Sequence, residues 1–318
     1  MPVVAVLAGP GRVARRIARL RVKRYHSYLC DSDRWHELDL RAGDVVVTTP
    51  PKCGTTWMQM CCLVLIHGPQ LPRPLDELAP WLDQTMDSMD DIRSRLDAQD
   101  HRRVIKTHTP LDGLPAQAEV TYVGVGRDPR DVVLSAGDHS ANMRIESIVA
   151  AKERAGLPVE LPNRPPRPEN PSKAIRAWLE SDTPPDVPTS SLPFTVHHLR
   201  TVWERRHERN VALFHYSDLR RDLEGEMRRL AAALGIDVDE SAWPALLDAA
   251  SLDAMRAKAD VLAPNTSHDL WRDNRAFFAE GRLGAWRDVF DDDNRSRYER
   301  RLNELTGDDA DFVAWLHR

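Results

Sequence analysis

The sequence predicts an α/β fold in which a central parallel sheet is flanked by helices. Four short β-rich runs carry this prediction, at residues 45–49, 103–106, 121–125 and 211–216. Each run is bounded by polar or helical stretches, which is typical of strands in a sheet that is covered on both faces. The chain has 318 residues, of which 42% are hydrophobic, so it can bury a large core.

Three of the four runs are followed by a predicted helix. The first helix runs through residue 66, with apolar side chains recurring from Trp57 onward at helical spacing. The second begins at Pro129, because proline is well tolerated at a first helical position. The third spans 223–234 and is closed by Gly235 as a C-terminal cap. The connections after the strands therefore lie at the edge where open α/β sheets bind ligands.

The most informative connection is the segment 49–57, which reads T-P-P-K-C-G-T-T-W. A tight turn between a strand and a helix points backbone N–H groups at one spot, and Lys52 adds a positive charge there. This combination indicates a site for a phosphorylated nucleotide. The segment is not the loop of nucleotide hydrolases, in which the lysine follows the second glycine, since Lys52 precedes Gly54. The alternative is an ordinary turn with a helix cap at Thr55 or Thr56.

Three segments in the right order resemble the cytosolic-type sulfotransferases, which use 3′-phosphoadenosine 5′-phosphosulfate (PAPS) as the sulfuryl donor. Segment 52–57, K-C-G-T-T-W, is similar to their 5′-phosphosulfate loop. Segment 105–110, I-K-T-H-T-P, resembles the one that carries the general base, and 125–135, V-G-R-D-P-R-D-V-V-L-S, resembles the 3′-phosphate segment. A weaker match is 214–219. The resemblance covers the chain from about residue 31 and implies a P-loop-like sulfotransferase fold.

The resemblance also implies roles for individual residues. His108 would be the general base, with Lys52 and Lys106 as the other catalytic groups. A neutral imidazole can accept a proton near neutral pH, and lysines can stabilise charge on the transferred group and its leaving oxygen. The residues implied to bind the donor are Lys52, Cys53, Gly54, Thr55, Thr56, Trp57, Arg127, Ser135, Tyr216, Gly281 and Arg282. For Trp57 and Tyr216 the alternative is an ordinary place in the core.

The resemblance says less about the acceptor molecule than about the donor. Segments 80–85 and 107–114 resemble the actinobacterial branch of the family, which includes a mycobacterial glycolipid sulfotransferase. Trp81, Leu82, His108 and Met143 are the predicted acceptor-binding residues, because bulky apolar side chains suit a pocket that adapts to large acceptors. The predicted acceptor is therefore a hydroxyl of a small or lipid-linked molecule, with a glycolipid favoured by the resemblance.

The C-terminal part departs from the family pattern. The family's 3′-phosphate clamp has a basic pair before its first glycine, whereas this chain has Ala279 and Glu280 before Gly281. Arg282 is the candidate to replace the missing charges. The short dimerisation motif of the family is also broken, at Asp291, Asp292 and Ser296. The oligomeric state is therefore left open.

The predicted organisation is one sulfotransferase domain over residues 31–318, preceded by a basic extension over 1–30. The extension is a candidate for peripheral contact with anionic lipid, and the alternative is a mobile tail or a start codon placed too early. Residues 155–193 are rich in proline and are predicted to form a long loop over the acceptor side. The alternative for this loop is a solvent-exposed connection without a role in catalysis.

Composition excludes several other classes. The formal net charge is −5, so nothing global favours nucleic acid as a partner. Four cysteines without C-x-x-C spacing predict neither a metal site nor a disulfide framework. No apolar run approaches the ~20 residues that span a bilayer, and no signal-peptide pattern is present, so a cytoplasmic location is predicted.

Two other functions compete with sulfuryl transfer. A kinase-like enzyme that uses ATP would need a lysine after the loop glycine and an acidic magnesium ligand, for which Asp128 is the only obvious candidate. A non-catalytic relative that binds PAPS or its product is conceivable because the clamp is altered. Retention of Lys52, Lys106 and His108 argues against that relative.

Overall fold

The computed structural model describes residues 22–159, 168, 170–278, 282–307 and 309–318. Most of the predicted basic extension, residues 1–21, lies outside the described residues, as do part of the proline-rich segment and Gly281. No helix in the described part of the chain is long and apolar enough to cross a membrane.

Two small strands precede the main sheet. Strands β1 (His26–Ser27) and β2 (Cys30–Asp31) form an antiparallel pair. The main sheet consists of four parallel strands, and their bounds differ by only one or two residues from the predicted runs. These strands are β3 (Val45–Thr48), β4 (Val104–Thr107), β5 (Thr121–Gly126) and β6 (Val211–His215). The predicted α/β class with a central parallel sheet is confirmed.

Helices account for most of the remaining described chain. They are α1 (Thr55–His67), α2 (Leu75–Leu78), α3 (Met89–Asp97), α4 (Pro129–Asn142), α5 (Ile145–Arg154), α6 (Pro171–Leu179), α7 (Leu192–Glu204), α8 (Tyr216–Arg221), α9 (Leu223–Leu234), α10 (Trp243–Ala250), α11 (Leu252–Ala257), α12 (Ala259–Leu262), α13 (Asn274–Phe277), α14 (Asp292–Thr306) and α15 (Ala310–Leu316). Five short 3₁₀ helices join them, at Ser32–His36, Leu111–Gly113, Glu240–Ala242, Thr266–His268 and Ala285–Asp288.

The sheet is buried on both faces. Along β3, Val45 and Val47 pack into a core with α1, whereas Val46 points the other way into a core with Trp35 and α3. Successive side chains of a strand alternate between faces, so a run of three fully buried valines requires cover on both sides. This explains why the strands read as continuous apolar runs.

The order of the strands places the functional segments together. The sheet order is β4-β3-β5-β6, so the chain moves from β3 to one side and then crosses back to the other. Strands β4 and β5 are the two neighbours of β3. Their carboxyl ends therefore enclose a topological switch point, which is the usual ligand site of such sheets.

The predicted helix boundaries are close to those observed. Helix α1 ends at His67, α4 begins at Pro129, and α9 ends at Leu234 with Gly235 in the left-handed conformation at φ 63°. The described part of the proline-rich segment includes α6, close to the predicted helical piece around 174–180. Its end at Pro188, Thr189 and Ser190 reaches the main cavity.

Candidate active site

The loop after β3 turns sharply into α1. Gly54 adopts a φ of 103°, and a Cβ at this position would lie 3.0 Å from Cδ2 of Tyr216. Glycine is therefore required both for the backbone conformation and for the close approach. No side chain caps α1, so the N–H groups of its first turn are left for another partner. A helix N-terminus of this kind binds anions.

Lys52 lies in the same loop with its ammonium group directed at other cavity residues. Its Nζ is 3.1 Å from Nδ1 of His139 and 5.0 Å from the centre of the Phe277 ring. Burial, together with the charges of Arg127 and Lys106, lowers the pKa of Lys52 to about 7. The site thus gathers positive charge that an anionic ligand would stabilise.

Arg127 follows β5 and connects the loop after β3 to two aromatic residues, Tyr216 and Trp57. Its guanidinium donates to the carbonyl of Lys52 at 3.1 Å and lies 4.5 Å from the centre of the Tyr216 ring. Trp57 meets Tyr216 edge-on at 5.4 Å, and its Nε1 donates to the carbonyl of Ala250. The two aromatic residues are fixed at the edge of the cavity, and both line it.

His108 follows β4 and has a defined tautomer. Its Nδ1 is 2.8 Å from the carbonyl oxygen of Thr49. A carbonyl only accepts, so Nδ1 carries the hydrogen and Nε2 keeps its lone pair. Burial and the neighbouring Lys106 charge hold the pKa of His108 well below its usual value. The imidazole is therefore neutral and able to accept a proton at Nε2.

Lys106 and Trp81 stand beside His108. The Lys106 ammonium lies 4.3 Å from the centre of the Trp81 ring, and the Trp81 and His108 rings meet edge-on at 4.9 Å. Burial lowers the pKa of Lys106 to about 8, against the opposing effect of Asp83 and Asp76. An ammonium on an indole face keeps its charge with little water around it.

A single cavity of about 390 Å³ joins these groups. Most of the predicted site residues line it. They are Lys52, Gly54, Thr55, Thr56, Trp57, Trp81, Lys106, His108, Arg127, Ser135, Met143, Tyr216 and Arg282. The residues predicted to bind the donor and those predicted to bind the acceptor therefore share one cavity, with both lysines and His108 on its wall.

Two predicted residues are placed elsewhere, and a third is not described. Cys53 is fully buried beneath the loop and does not line the cavity. Leu82 is also fully buried, in the core that contains Trp35, because its side chain points away from that of Trp81. The structure thus corrects Leu82 from an acceptor contact to a core residue. Gly281 lies outside the described residues.

Several cavity residues were not predicted from the sequence. His139 contacts Lys52, and its ring lies 4.8 Å from that of Trp271. It follows Ser135 by one helical turn on α4, and that spacing is the signal that could have found it. Tyr28 and Phe277 also line the cavity, but no motif marks them.

The altered clamp region is held by Asp131. Its carboxylate accepts the N–H of Gly284 at 2.8 Å and that of Trp286 at 3.2 Å. This contact fixes the turn that carries Arg282 at the cavity, where Arg282 also pairs with Asp288. Arg282 is thus an exposed arginine at the cavity, in the segment that resembles the family's clamp.

The donor side suits a nucleotide with more than one anionic group. Arg127 is 8% exposed, and its Nε has no hydrogen-bond partner within the described part of the chain. A buried guanidinium N–H without a partner is costly and is well matched to an anionic oxygen. Together with the uncapped α1 and Lys52, it forms a site that PAPS fits. No group of three or more metal-ligating side chains occurs among the residues that the structure describes, and the expected absence of a metal stays a prediction.

Comparison with known sequences identifies the family. The sulfotransferase domain matches residues 42–309 of the chain. A glycolipid sulfotransferase of Mycobacterium bovis (strain BCG / Pasteur 1173P2) is 42% identical over 92% of this chain and 93% of that protein. Human sulfotransferase 2B1 is 25% identical over 79% of this chain and 63% of that protein.

Solved structures show the same fold. Mouse sulfotransferase SULT7A1, crystallised with PAP, superposes with a TM-score of 0.65 at 18% identity and covers 89% of this chain and 90% of that one. Retinol dehydratase in complex with retinol and PAP superposes with a TM-score of 0.62 at 18% identity, over 95% of this chain and 96% of that one. The match of the domain and the identity to the mycobacterial proteins show that this chain belongs to the sulfotransferase family and is a sulfotransferase.

Proposed function

We propose that the protein transfers the sulfuryl group of PAPS to a hydroxyl of a glycolipid, with His108 as the general base. The observation that carries this proposal is the meeting of three groups on one cavity: Lys52, Lys106 and the neutral imidazole of His108. The first two provide charge for the transferred group, and the third can take the proton of the acceptor.

The base is supported by its tautomer. Because Nδ1 of His108 donates to the carbonyl of Thr49, Nε2 is the basic atom. When an acceptor hydroxyl attacks the sulfur, its proton passes to Nε2 and the bond between sulfur and the bridging oxygen breaks. General-base catalysis of this kind typically contributes ~10²–10⁴-fold to the rate.

The two lysines are proposed to stabilise negative charge. Lys52 would contact the bridging oxygen and the 5′-phosphate, while Lys106 would contact the sulfonate oxygens. Loss of one preorganised donor in such a site costs ~10²–10³-fold in turnover. Arg127 and Ser135 would hold the 3′-phosphate, and Arg282 would assist them at the altered clamp.

The acceptor side favours a bulky apolar group. The cavity wall includes Tyr28, Met86, Met143, Trp271 and Phe277. Aromatic and methionine side chains suit large acceptors of variable shape, and glycolipid is the acceptor that the name of the mycobacterial relative gives. A cytoplasmic location and peripheral membrane contact through residues 1–30 stay predictions.

Replacement of His108 tests the proposal. In His108→Ala, transfer from sulfur-labelled PAPS to a lipid extract of the host should fall by ~10²–10⁴-fold, because the acceptor hydroxyl loses its base. The affinity for PAP, measured by calorimetry, should stay unchanged, because His108 is assigned to the acceptor. The labelled product in the wild-type reaction would identify the acceptor.

The matched control is His207→Ala, since His207 is an exposed residue on the surface. Its activity should equal that of the wild type. Normal turnover in His108→Ala would remove His108 from the role of base. PAP binding without any transfer by the wild type would favour the non-catalytic relative.

A further inference from the structure

Asp83 is a buried carboxylate that the proposed reaction does not use. Its side chain is 0% exposed, and it contacts Trp81, a residue of the cavity wall. Four side-chain donors converge on its two oxygens. They are Trp35 Nε1 at 3.3 Å, Trp81 Nε1 at 2.5 Å, Thr107 Oγ1 at 2.5 Å and Thr109 Oγ1 at 2.5 Å. Such convergence on one buried acid is more than is needed to satisfy a neutral carboxyl.

The four donors favour the ionised form of Asp83. An indole N–H can only donate, and the hydroxyl of Thr107 already accepts the N–H of Thr109 at 2.8 Å. Each hydrogen bond donated to the carboxylate stabilises its negative charge. Burial raises the pKa of Asp83, and the four donors oppose that effect.

The partners of Asp83 are also the supports of the proposed catalytic groups. Thr107 and Thr109 are the residues on either side of His108, and both hydroxyls bind the same oxygen of Asp83. They therefore fix the backbone from which the imidazole projects. The bend is thus held at both ends, and the imidazole itself is held by its bond to the carbonyl of Thr49.

Trp81 links Asp83 to Lys106. One edge of its indole donates to Asp83, while its face lies 4.3 Å from the Lys106 ammonium. The backbone reinforces this contact, because Lys106 N donates to the carbonyl of Pro80 at 2.9 Å and Leu82 N donates to the carbonyl of Lys106 at 3.1 Å. Rotation of the indole would displace the ammonium.

We propose that Asp83 is a positioning residue that sets the imidazole of His108 and the ammonium of Lys106 for sulfuryl transfer. This assignment rests on the proposed function, since it concerns the same acceptor-side groups. Asp83 does not touch the reacting atoms. It acts through two threonines and one tryptophan, each of which contacts it directly.

The charge of Asp83 has a second effect that can be measured. Burial lowers the pKa of Lys106 to about 8, and Asp83 is the largest of the charges that oppose this decrease. Without that charge the lysine loses its proton at a lower pH. Protonated Lys106 is the active form. When the pH is raised, the variant without the Asp83 charge would therefore begin to lose activity at a lower pH than the wild type does.

The test is Asp83→Asn, in which the side chain keeps its shape and loses its negative charge. The turnover number should fall by at least ~10-fold, while the affinity for PAP changes by less than ~2-fold, because the donor side does not contact Asp83. The alkaline limb of the pH profile should move to lower pH by roughly half a unit or more. A residue with only a structural role would not move that limb.

Asp87→Asn is the matched control, because Asp87 lies in the same segment and binds Gln84, Arg95 and His268 instead of the threonines. It should keep both the wild-type turnover and the wild-type pH profile. If Asp83→Asn does not fold, Thr109→Val removes one of the four donors with little change in shape. That variant should lower turnover several-fold with PAP affinity unchanged.

The outcomes separate this assignment from the proposed function. A wild-type protein that binds PAP without transferring sulfuryl would overturn the proposed function itself. A wild-type protein that is active, combined with an unshifted alkaline limb in Asp83→Asn or full turnover in Thr109→Val, would overturn the positioning role alone.

Discussion

Lys52 combines an unusual backbone with an unusual charge state. Its φ is 69°, a left-handed conformation that residues other than glycine seldom adopt. Its pKa of about 7 is far below that of a free lysine, mainly because of burial and then because of Arg127 and Lys106. The free protein thus holds a lysine that is only partly protonated at neutral pH, and an anionic donor would favour its protonated form.

Donor binding should therefore take up protons. The pKa of Lys52 is lowered in the free protein and should rise when the anion binds, so affinity is greatest below pH 7 and falls as the pH rises above it. The dissociation constant of PAP should increase by up to ~10-fold per pH unit there. Calorimetry at pH 8 in buffers of different ionisation enthalpy would measure the uptake, and Lys52→Met should reduce it. An affinity that is flat between pH 7 and 9 would contradict this account.

The residues of the candidate site could be predicted where a sequence motif contains them. Lys52, His108 and Arg127 each follow a strand within a recognisable segment, and all three line one cavity. His139 could not be found in the same way, because its contact with Lys52 joins residues 87 positions apart. Asp83 was missed because nothing in P-W-L-D reveals that four donors meet on its carboxylate.

The turn after α13 depends on helix α4 for its position. Asp131, in the first turn of α4, accepts two backbone N–H groups of this turn, from Gly284 and Trp286. Among residues 282–288 of this turn, which the structure describes, the one regular element is the short 3₁₀ helix Ala285–Asp288. One carboxylate therefore governs where Arg282 stands relative to the donor side.

Asp131→Asn should weaken donor binding without removing the catalytic groups. The amide has one acceptor oxygen, so one of the two backbone N–H groups loses its partner, at a cost of ~1–3 kcal/mol. We expect the PAP dissociation constant to rise roughly tenfold, which corresponds to ~1.4 kcal/mol. Titration calorimetry would measure it. Asp90→Asn, whose side chain is 85% exposed, is the control, and equal affinities for the two variants would contradict the role of Asp131.

Elements were predicted well where hydrophobic pattern decides them. The buried valines of β3 and the Pro129 start of α4 are local signals, and the structure confirms both elements. The turn around Arg282 could not be predicted, because its place depends on Asp131, more than 150 residues earlier in the chain. The role of Arg282 at the 3′-phosphate stays a prediction.

At the scale of the whole molecule, a buried ion pair joins the beginnings of two neighbouring strands. Arg103 and Asp44 are 1% and 2% exposed, and Nη2 of Arg103 lies 2.5 Å from Oδ2 of Asp44. A second bond joins Nε to Oδ1 at 2.9 Å. The pair ties β3 to β4 at the end opposite the cavity, so it concerns stability and not chemistry.

Arg103→Met should destabilise the protein by ~3–5 kcal/mol, because it leaves the carboxylate of Asp44 buried without its countercharge. Urea unfolding would measure the change in the free energy of unfolding. Arg93→Met, which removes an exposed ion pair with Asp90, should cost less than ~1 kcal/mol. Equal free energies of unfolding for the two variants would contradict the claim that the buried ion pair stabilises the contact between β3 and β4.

The class and general architecture of the molecule were predictable because parallel strands covered on both faces leave continuous apolar runs in the sequence. The extent of the domain, residues 31–318, and the basic extension over 1–30 stay predictions. The oligomeric state is also open. The packing of one core against another depends on contacts between distant segments, which no local pattern reports.

The thiol of Cys53, in the loop between β3 and α1, determines how that loop reacts with alkylating agents. Cationic neighbours such as Lys52 and Arg127 favour a thiolate, but burial prevails and raises the pKa of Cys53 to about 12. Cys30, Cys61 and Cys62 are likewise buried and unpaired. The thiol of the donor loop should therefore react slowly with alkylating agents in the native fold.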